Sequence, residues 1–229
     1  MKLLVVAATP TEVAPLVTTI TRVADPGARL KRYSSRSHDL DVLVTGVGMV
    51  ATAAWTARAL AADKYDAAFN LGVCGSFDPA LAVGTVVHVV SDRIAELGAK
   101  DGDEFLSIHA LNLLGENEFP FTRGRLVNQS APASEALRRL PAVNGLTVNT
   151  VHGNETRIAD AKARFDPQVE SMEGAAFFYV CLTSHVRCAQ VRAVSNFIER
   201  RRREAWNMPL AIAHLNDAAI DIIDRLGTP

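Results

Sequence analysis

Short apolar runs alternate with longer segments of helical periodicity along the chain. "KLLVVAA" (residues 2–8) is apolar after its first position, and a helix-like segment follows from Thr11. "DVLVTGV" (41–47) precedes "MVATAAWTARALAA", "DAAFNLGV" (66–73) ends in a turn of small residues, and "GTVVHVVS" (84–91) is a further strand. "LTVNTV" (146–151) precedes the helical "ETRIADAKARF", and "VRCAQVRAVS" (186–195) follows an apolar helix. In a last helix starting near Pro209, Ile212, Leu215, Ala219, Ile222 and Leu226 form a stripe at 3-4-3-4 spacing. Near-continuous apolar strands are buried on both faces, so the alternation predicts an α/β fold around a central, largely parallel sheet. Residues 95–131 break the pattern. Gly98, Gly102, Gly115, Pro120 and Gly124 predict long loops there, within one domain over residues 1–229.

One segment does not fit a purely structural pattern. "VESMEGAAFFYVC" (169–181) is apolar or small except at Glu170 and Glu173, and it predicts a helix buried on more than one face. Glu173 stands at the entrance to that helix. A buried carboxylate needs partners, so Glu173 either caps the helix or is held for a ligand.

The 229 residues carry a net charge of −1, which attracts neither nucleic acid nor an anionic membrane. No apolar run approaches the ~20 residues of a membrane span. The apolar core of "MKLLVVAATPTEV" is shorter than that of a signal peptide and runs straight into Pro10 and Glu12, so a buried first strand is expected instead. Cys74, Cys181 and Cys188 are odd in number and widely spaced, which predicts reduced thiols in a cytoplasmic protein.

Several motifs admit two readings. "GVGMVA" (46–51) has the spacing of a dinucleotide-binding turn, but no acidic residue stands at the far end of the next strand. A tight turn whose helix N-terminus takes an anion remains. "GVCGS" (72–76) has Ser76 where a nucleophile elbow needs glycine, so Cys74 is expected to be a small buried residue. "HGNE" (152–155) lacks the second histidine of a zinc motif; His152 belongs to a loop at the carboxyl end of the sheet, where α/β proteins bind ligands. Arg200 to Arg203 read as a charged loop, one of whose guanidinium groups suits an anionic substrate group.

"MKLLVVAATPTEV", "VTGVGMVATA", "NLGVCGS", "VHGNET", "VESMEGAA" and "VRAVSN" occur in this order from Lys2 to the final helix. Together they resemble the purine nucleoside phosphorylase and nucleosidase superfamily, and most clearly its methylthioadenosine/S-adenosylhomocysteine nucleosidases. The resemblance implies a single-domain three-layer α/β/α sandwich with a mixed, largely parallel sheet. It also implies a homodimer, a purine nucleoside as the small-molecule substrate, and catalysis without metal or organic cofactor. By the same resemblance Glu173 binds the ribose 2′- and 3′-hydroxyls, Met172 lies against the sugar and Glu12 is the hydrolytic base. Arg192 stands near the water and Glu173, Gly72 belongs to the glycine-rich turn, and the backbone of Thr156 and Arg157 meets the purine edge.

There are two departures. Val73 replaces a serine of these nucleosidases. Asn196 replaces the aspartate that serves adenine nucleosides, and its amide N–H suits the N7 and O6 acceptors of a 6-oxopurine. Hypoxanthine is therefore the expected base.

Overall fold

The computed structural model describes residues 1–35, 37–200 and 202–227. In chain order its elements are β1 (Lys2–Ala7), α1 (Pro10–Thr18), β2 (Thr21–Ala24), β3 (Leu30–Ser34), β4 (Asp39–Val44), α2 (Met49–Ala62), β5 (Ala67–Ser76), β6 (Val86–Asp92), β7 (Gly98–Asp101), β8 (Glu104–Ser107), β9 (Phe121–Thr122), β10 (Arg125–Val127), α3 (Glu135–Arg139), β11 (Ala142–Thr147), α4 (Glu155–Phe165), β12 (Val169–Ser171), α5 (Gly174–Thr183), β13 (Cys188–Phe197) and α6 (Met208–Asp224).

The fold is mixed α/β. Strand alternation divides the core in two. Leu3 and Val5 of β1, Phe69 and Leu71 of β5, and Ala189, Val191 and Ala193 of β13 pack with residues of α1, α3 and α6. The intervening Leu4, Val6, Ala68, Cys74, Cys188 and Val194 pack with α2 and α5. Period-2 alternation puts Gln190 and Arg192 on the α5 side of β13. Phe177 and Phe178 of α5 are both fully buried, as expected of a helix apolar on more than one face.

The sheet is less parallel than the pattern predicts. Among the described strands, β1–β4, β1–β5, β5–β13, β6–β11 and β11–β12 pair in parallel. Six pairings, β2–β3, β3–β4, β5–β12, β6–β13, β6–β10 and β9–β10, are antiparallel. Residues 95–131, expected to be loops, supply β9 and β10 at one edge of this sheet and β7 and β8 as a separate hairpin.

Both neighbours of β1 run parallel to it. Beyond it the long β5 changes partner. Its first half pairs β1 through Asn70, and its end at Gly75 and Ser76 pairs β12 on that edge, while β13 runs along the other edge. The pairings β5–β12–β11–β6–β13–β5 form a closed ring. Closure places Glu170 of β12 and Asn196 of β13 on either side of Gly75 of β5, and Arg192 of β13 beside Gly72.

Candidate active site

Glu12 lies in the first turn of α1, just past the carboxyl end of β1. One oxygen caps its own helix: Oε2 accepts from the Thr9 N–H at 2.8 Å and the Thr9 hydroxyl at 3.1 Å. The other, Oε1, accepts from the Val73 N–H at 3.3 Å. Val73 therefore contributes its backbone, whatever its side chain lacks. Pro15 has no N–H for α1, and Asn216 of α6 repairs the helix one residue later. Its Oδ1 accepts from the Leu16 N–H at 2.9 Å and its Nδ2 donates to the Glu12 carbonyl at 2.9 Å. That amide stands between two groups that would otherwise bond directly in an α-helix, and it anchors Glu12 to α6. Glu12 is only 6% exposed. Burial raises its carboxyl above the ordinary value of 4.5; the Arg192 charge and the Thr9 N–H oppose the rise, and the Glu173 charge adds to it.

Gly72 lies where Glu12 meets the sheet. A Cβ there would stand 2.2 Å from Arg192 Nη1 and 2.9 Å from Glu12 Oε1. Any side chain would drive the Glu12 carboxylate and the guanidinium away from the β5 backbone.

Glu173 occupies the N-cap position of α5, yet its side chain does not cap that helix. The carboxylate turns outward. Oε1 accepts from the Gly48 N–H at 3.1 Å and Oε2 from Arg192 Nη1 at 3.4 Å. Gly48 is the N-cap of α2 and has φ +99°. The anion taken by the "GVGMVA" turn is thus a carboxylate of the same chain, held at a helix N-terminus. Met172 is half-buried immediately before it.

Arg192 is fully buried and its donors are distributed. Nε donates to Gln190 Oε1 at 3.1 Å, Nη2 to Asn70 Oδ1 and Nη1 to Glu173. Gln190 in turn donates to Asp92 Oδ2 at 3.1 Å, and the Thr147 hydroxyl donates to Asp92 Oδ1 at 2.9 Å. Burial pushes the Asp92 carboxyl up to about 6. Gly174 leaves room for this chain, because a Cβ there would lie 2.2 Å from Gln190 Oε1 and 2.3 Å from Asp92 Oδ2. Sequence reading missed Asn70, Gln190, Asp92 and Asn216. Their only signal was a polar residue inside an otherwise apolar element.

Asn196 ends the same strand as Arg192, four residues or about 13 Å further along. The Ser195 hydroxyl donates to its Oδ1 at 2.8 Å, and its Nδ2 donates to the Phe197 carbonyl at 2.9 Å, leaving one amide hydrogen free for a ligand. Asn196 lines a cavity of about 70 Å³ with Gly75, Val151, His152, Glu170 and Trp206. A larger cavity of about 710 Å³ lies across the same loop, toward α4 and the β7–β8 hairpin, and also touches His152.

Thr156 and Arg157 are not brought to Asn196. They sit exposed in the first turn of α4, and the Arg157 N–H is committed to the Asn154 cap at 3.2 Å. The loop residues that do reach the Asn196 cavity are Val151, His152 and Gly153. Arg200 and Arg202 line it too, with Arg202 paired to Glu199 at 2.7 Å; Arg201 lies outside the described residues. Cys74 is buried within β5, with its thiol pushed up to about 12, so it is no nucleophile.

Two buried carboxylates, Glu12 after β1 and Glu173 after β12, thus lie near the guanidinium of Arg192. Residues 2–226 match the phosphorylase superfamily, and the chain belongs to it. Within that class it is similar to the futalosine hydrolase of Streptomyces coelicolor, with 34% identity over 204 residues, 86% of this chain and 83% of that protein. It is also similar to the futalosine hydrolase of Acidothermus cellulolyticus, at 31% over 187 residues, covering 78% and 72%. The native structure of futalosine hydrolase from Helicobacter pylori shares the fold at a TM-score of 0.79 and 15% identity, over 99% of this chain and 98% of that one.

Proposed function

We propose that this protein is a nucleosidase that hydrolyses the N-glycosidic bond of futalosine, releasing hypoxanthine and dehypoxanthinyl futalosine, a step of the alternative menaquinone pathway. The observation that carries the reading is the Glu12–Arg192–Glu173 cluster, with Asn196 further along the strand that holds Arg192. Glu173, oriented by Arg192 and the Gly48 N–H, offers acceptor oxygens to two vicinal ribose hydroxyls. Those bonds strengthen as the ribose gains oxocarbenium character. Glu12 keeps Oε1 on the open side of Gly72, where it orients and deprotonates the attacking water. Its raised affinity for protons suits that task near neutral pH.

Phosphorolysis is disfavoured on the same ground. An ionised Glu12 repels phosphate, and the donors of Arg192 are taken by Glu173, Gln190 and Asn70. Asn196 favours a 6-oxopurine over adenine, because its free N–H meets an acceptor at O6 and would face the donor amino group of adenine.

The chain is read as one domain over residues 1–229, with helical layers on both faces of the sheet, acting as a cytoplasmic homodimer. Val47 and Val50, 57% and 82% exposed beside Gly48, support an apolar partner surface near the site. No described helix is long and apolar enough to cross a membrane. The test is product analysis after incubation with futalosine in phosphate-free buffer. Release of hypoxanthine without phosphate supports the reading. Turnover only with phosphate, turnover of inosine alone, or binding without turnover would each replace it.

A further inference from the structure

An asparagine at position 196 leaves the reaction without a proton for its leaving group. Its amide can hydrogen-bond the purine but carries no acidic proton at physiological pH. The C1′–N9 bond breaks with its electron pair going to the base, and a base that leaves unprotonated is a poor leaving group. The acid must come from elsewhere in the cavity.

Gly75 pairs with Glu170 of β12 on one edge and with Asn196 of β13 on the other. Residues paired directly across strands present their side chains to the same face, so Glu170 and Asn196 flank Gly75, whose missing side chain leaves room for Ile198 and the Asn196 amide. Glu170 is buried and both its oxygens are used by one residue: Oε1 accepts from the His152 backbone N–H at 2.9 Å, and Oε2 bonds His152 Nδ1. The edge of His152 packs on Phe77. Nε2 has no hydrogen-bond partner among the described residues, and the ring lines the cavity that holds Asn196. Glu170 accepts from Nδ1 and keeps a proton there, so the second proton of the imidazolium, the one that can be given up, sits on Nε2.

We propose that His152, oriented by Glu170, is the proton donor to the departing base. The proton on Nε2 moves to a ring nitrogen of hypoxanthine as the C1′–N9 bond breaks. Glu12 takes a proton from the water whose oxygen bonds C1′. Solvent then reprotonates His152 and deprotonates Glu12, so the net reaction consumes one water. This rests on the nucleosidase reading above, with the purine in the Asn196 cavity. The groups facing His152 are Glu170 of β12, Glu96 after β6 and Arg157 of α4. The bond to Glu170 dominates and holds the imidazolium above its ordinary value of 6.5, despite opposing burial. The acid form therefore persists to higher pH than in a free imidazole and is lost as pH rises through that raised value.

The experiment is the pH profile of kcat/KM for futalosine in wild type, His152→Gln and Glu170→Gln, with calorimetric binding of hypoxanthine as a control on pocket shape. In His152→Gln, turnover at pH 7 should fall by a factor on the order of 10² or more and the alkaline limb of the profile should vanish. Hypoxanthine should still bind. In Glu170→Gln the alkaline limb should survive but move to lower pH, because the imidazolium loses its carboxylate. An alkaline limb that persists in His152→Gln would overturn the assignment. So would a parallel loss of turnover and hypoxanthine binding, which would make His152 a wall of the pocket. If wild type itself releases no hypoxanthine from futalosine, the nucleosidase reading fails first, and the two failures are distinguishable.

Discussion

Replacing Glu173 by glutamine separates a ligand carboxylate from a structural one. Gln keeps the volume and can still accept from the Gly48 N–H through its carbonyl oxygen. Its amide group, however, would face Arg192 Nη1 donor to donor. Arg192 retains Gln190 and Asn70, so the guanidinium is not orphaned. The loss is one charge-assisted bond in a buried site, about 1.5–3 kcal/mol of stability. Catalysis should suffer more. The sugar loses a negative charge aimed at the developing cation, and kcat/KM should fall on the order of 10²–10³-fold. A second consequence concerns Glu12, whose affinity for protons Glu173 raises. Without that charge Glu12 ionises more readily, so the acid limb of the rate profile should shift to lower pH. The assays are thermal melting and hypoxanthine release per folded molecule across pH. A lower melting temperature with unchanged turnover per folded molecule would refute the reasoning and make Glu173 a purely structural group.

Further outcomes are expected from three variants and from the wild-type pH profile. Glu12→Gln should bind hypoxanthine normally and lose turnover on the order of 10²-fold or more. Because burial raises the Glu12 carboxyl above 4.5, ionising it costs stability as pH rises through that raised value; calorimetry at pH 7 should therefore show Glu12→Gln melting no earlier than wild type. In wild type the same group should set an acid limb of kcat/KM centred above pH 4.5. Asn196→Asp should lower futalosine turnover at neutral pH, recover it partly in acid as the carboxyl protonates, and spare a 6-amino analogue, all read from kcat/KM for both compounds; equal losses at every pH would show that Asn196 does not read the base. Asn216→Leu should cost about 1–3 kcal/mol in denaturant unfolding, since two buried bonds to α1 are lost. It should also lower kcat through displacement of Glu12, and an unchanged kcat would mean that α1 holds its base without α6.

The sequence by itself determined the elements that report their own burial. The runs over β1, β5 and β13, and the stripe on α6, state which residues face a core, because hydrophobic periodicity is a local property. It also carried Glu12, Glu173, Arg192 and Asn196 as chemistry-bearing residues, through motifs contiguous in the chain. What it left open was partnership. Whether Glu173 capped α5 or faced outward depended on Gly48, 125 residues away. Asn70, Gln190 and Asp92 read as isolated polar residues until β5, β13 and β6 were laid side by side. The bond between His152 and Glu170, and the cavity they line with Asn196, required β5 to exchange β1 for β12 along one edge. A strand's periodicity says which face is buried and nothing about which strand covers its edges. Pairing is decided by closing long loops against one another, and only the tertiary structure records which closures were made.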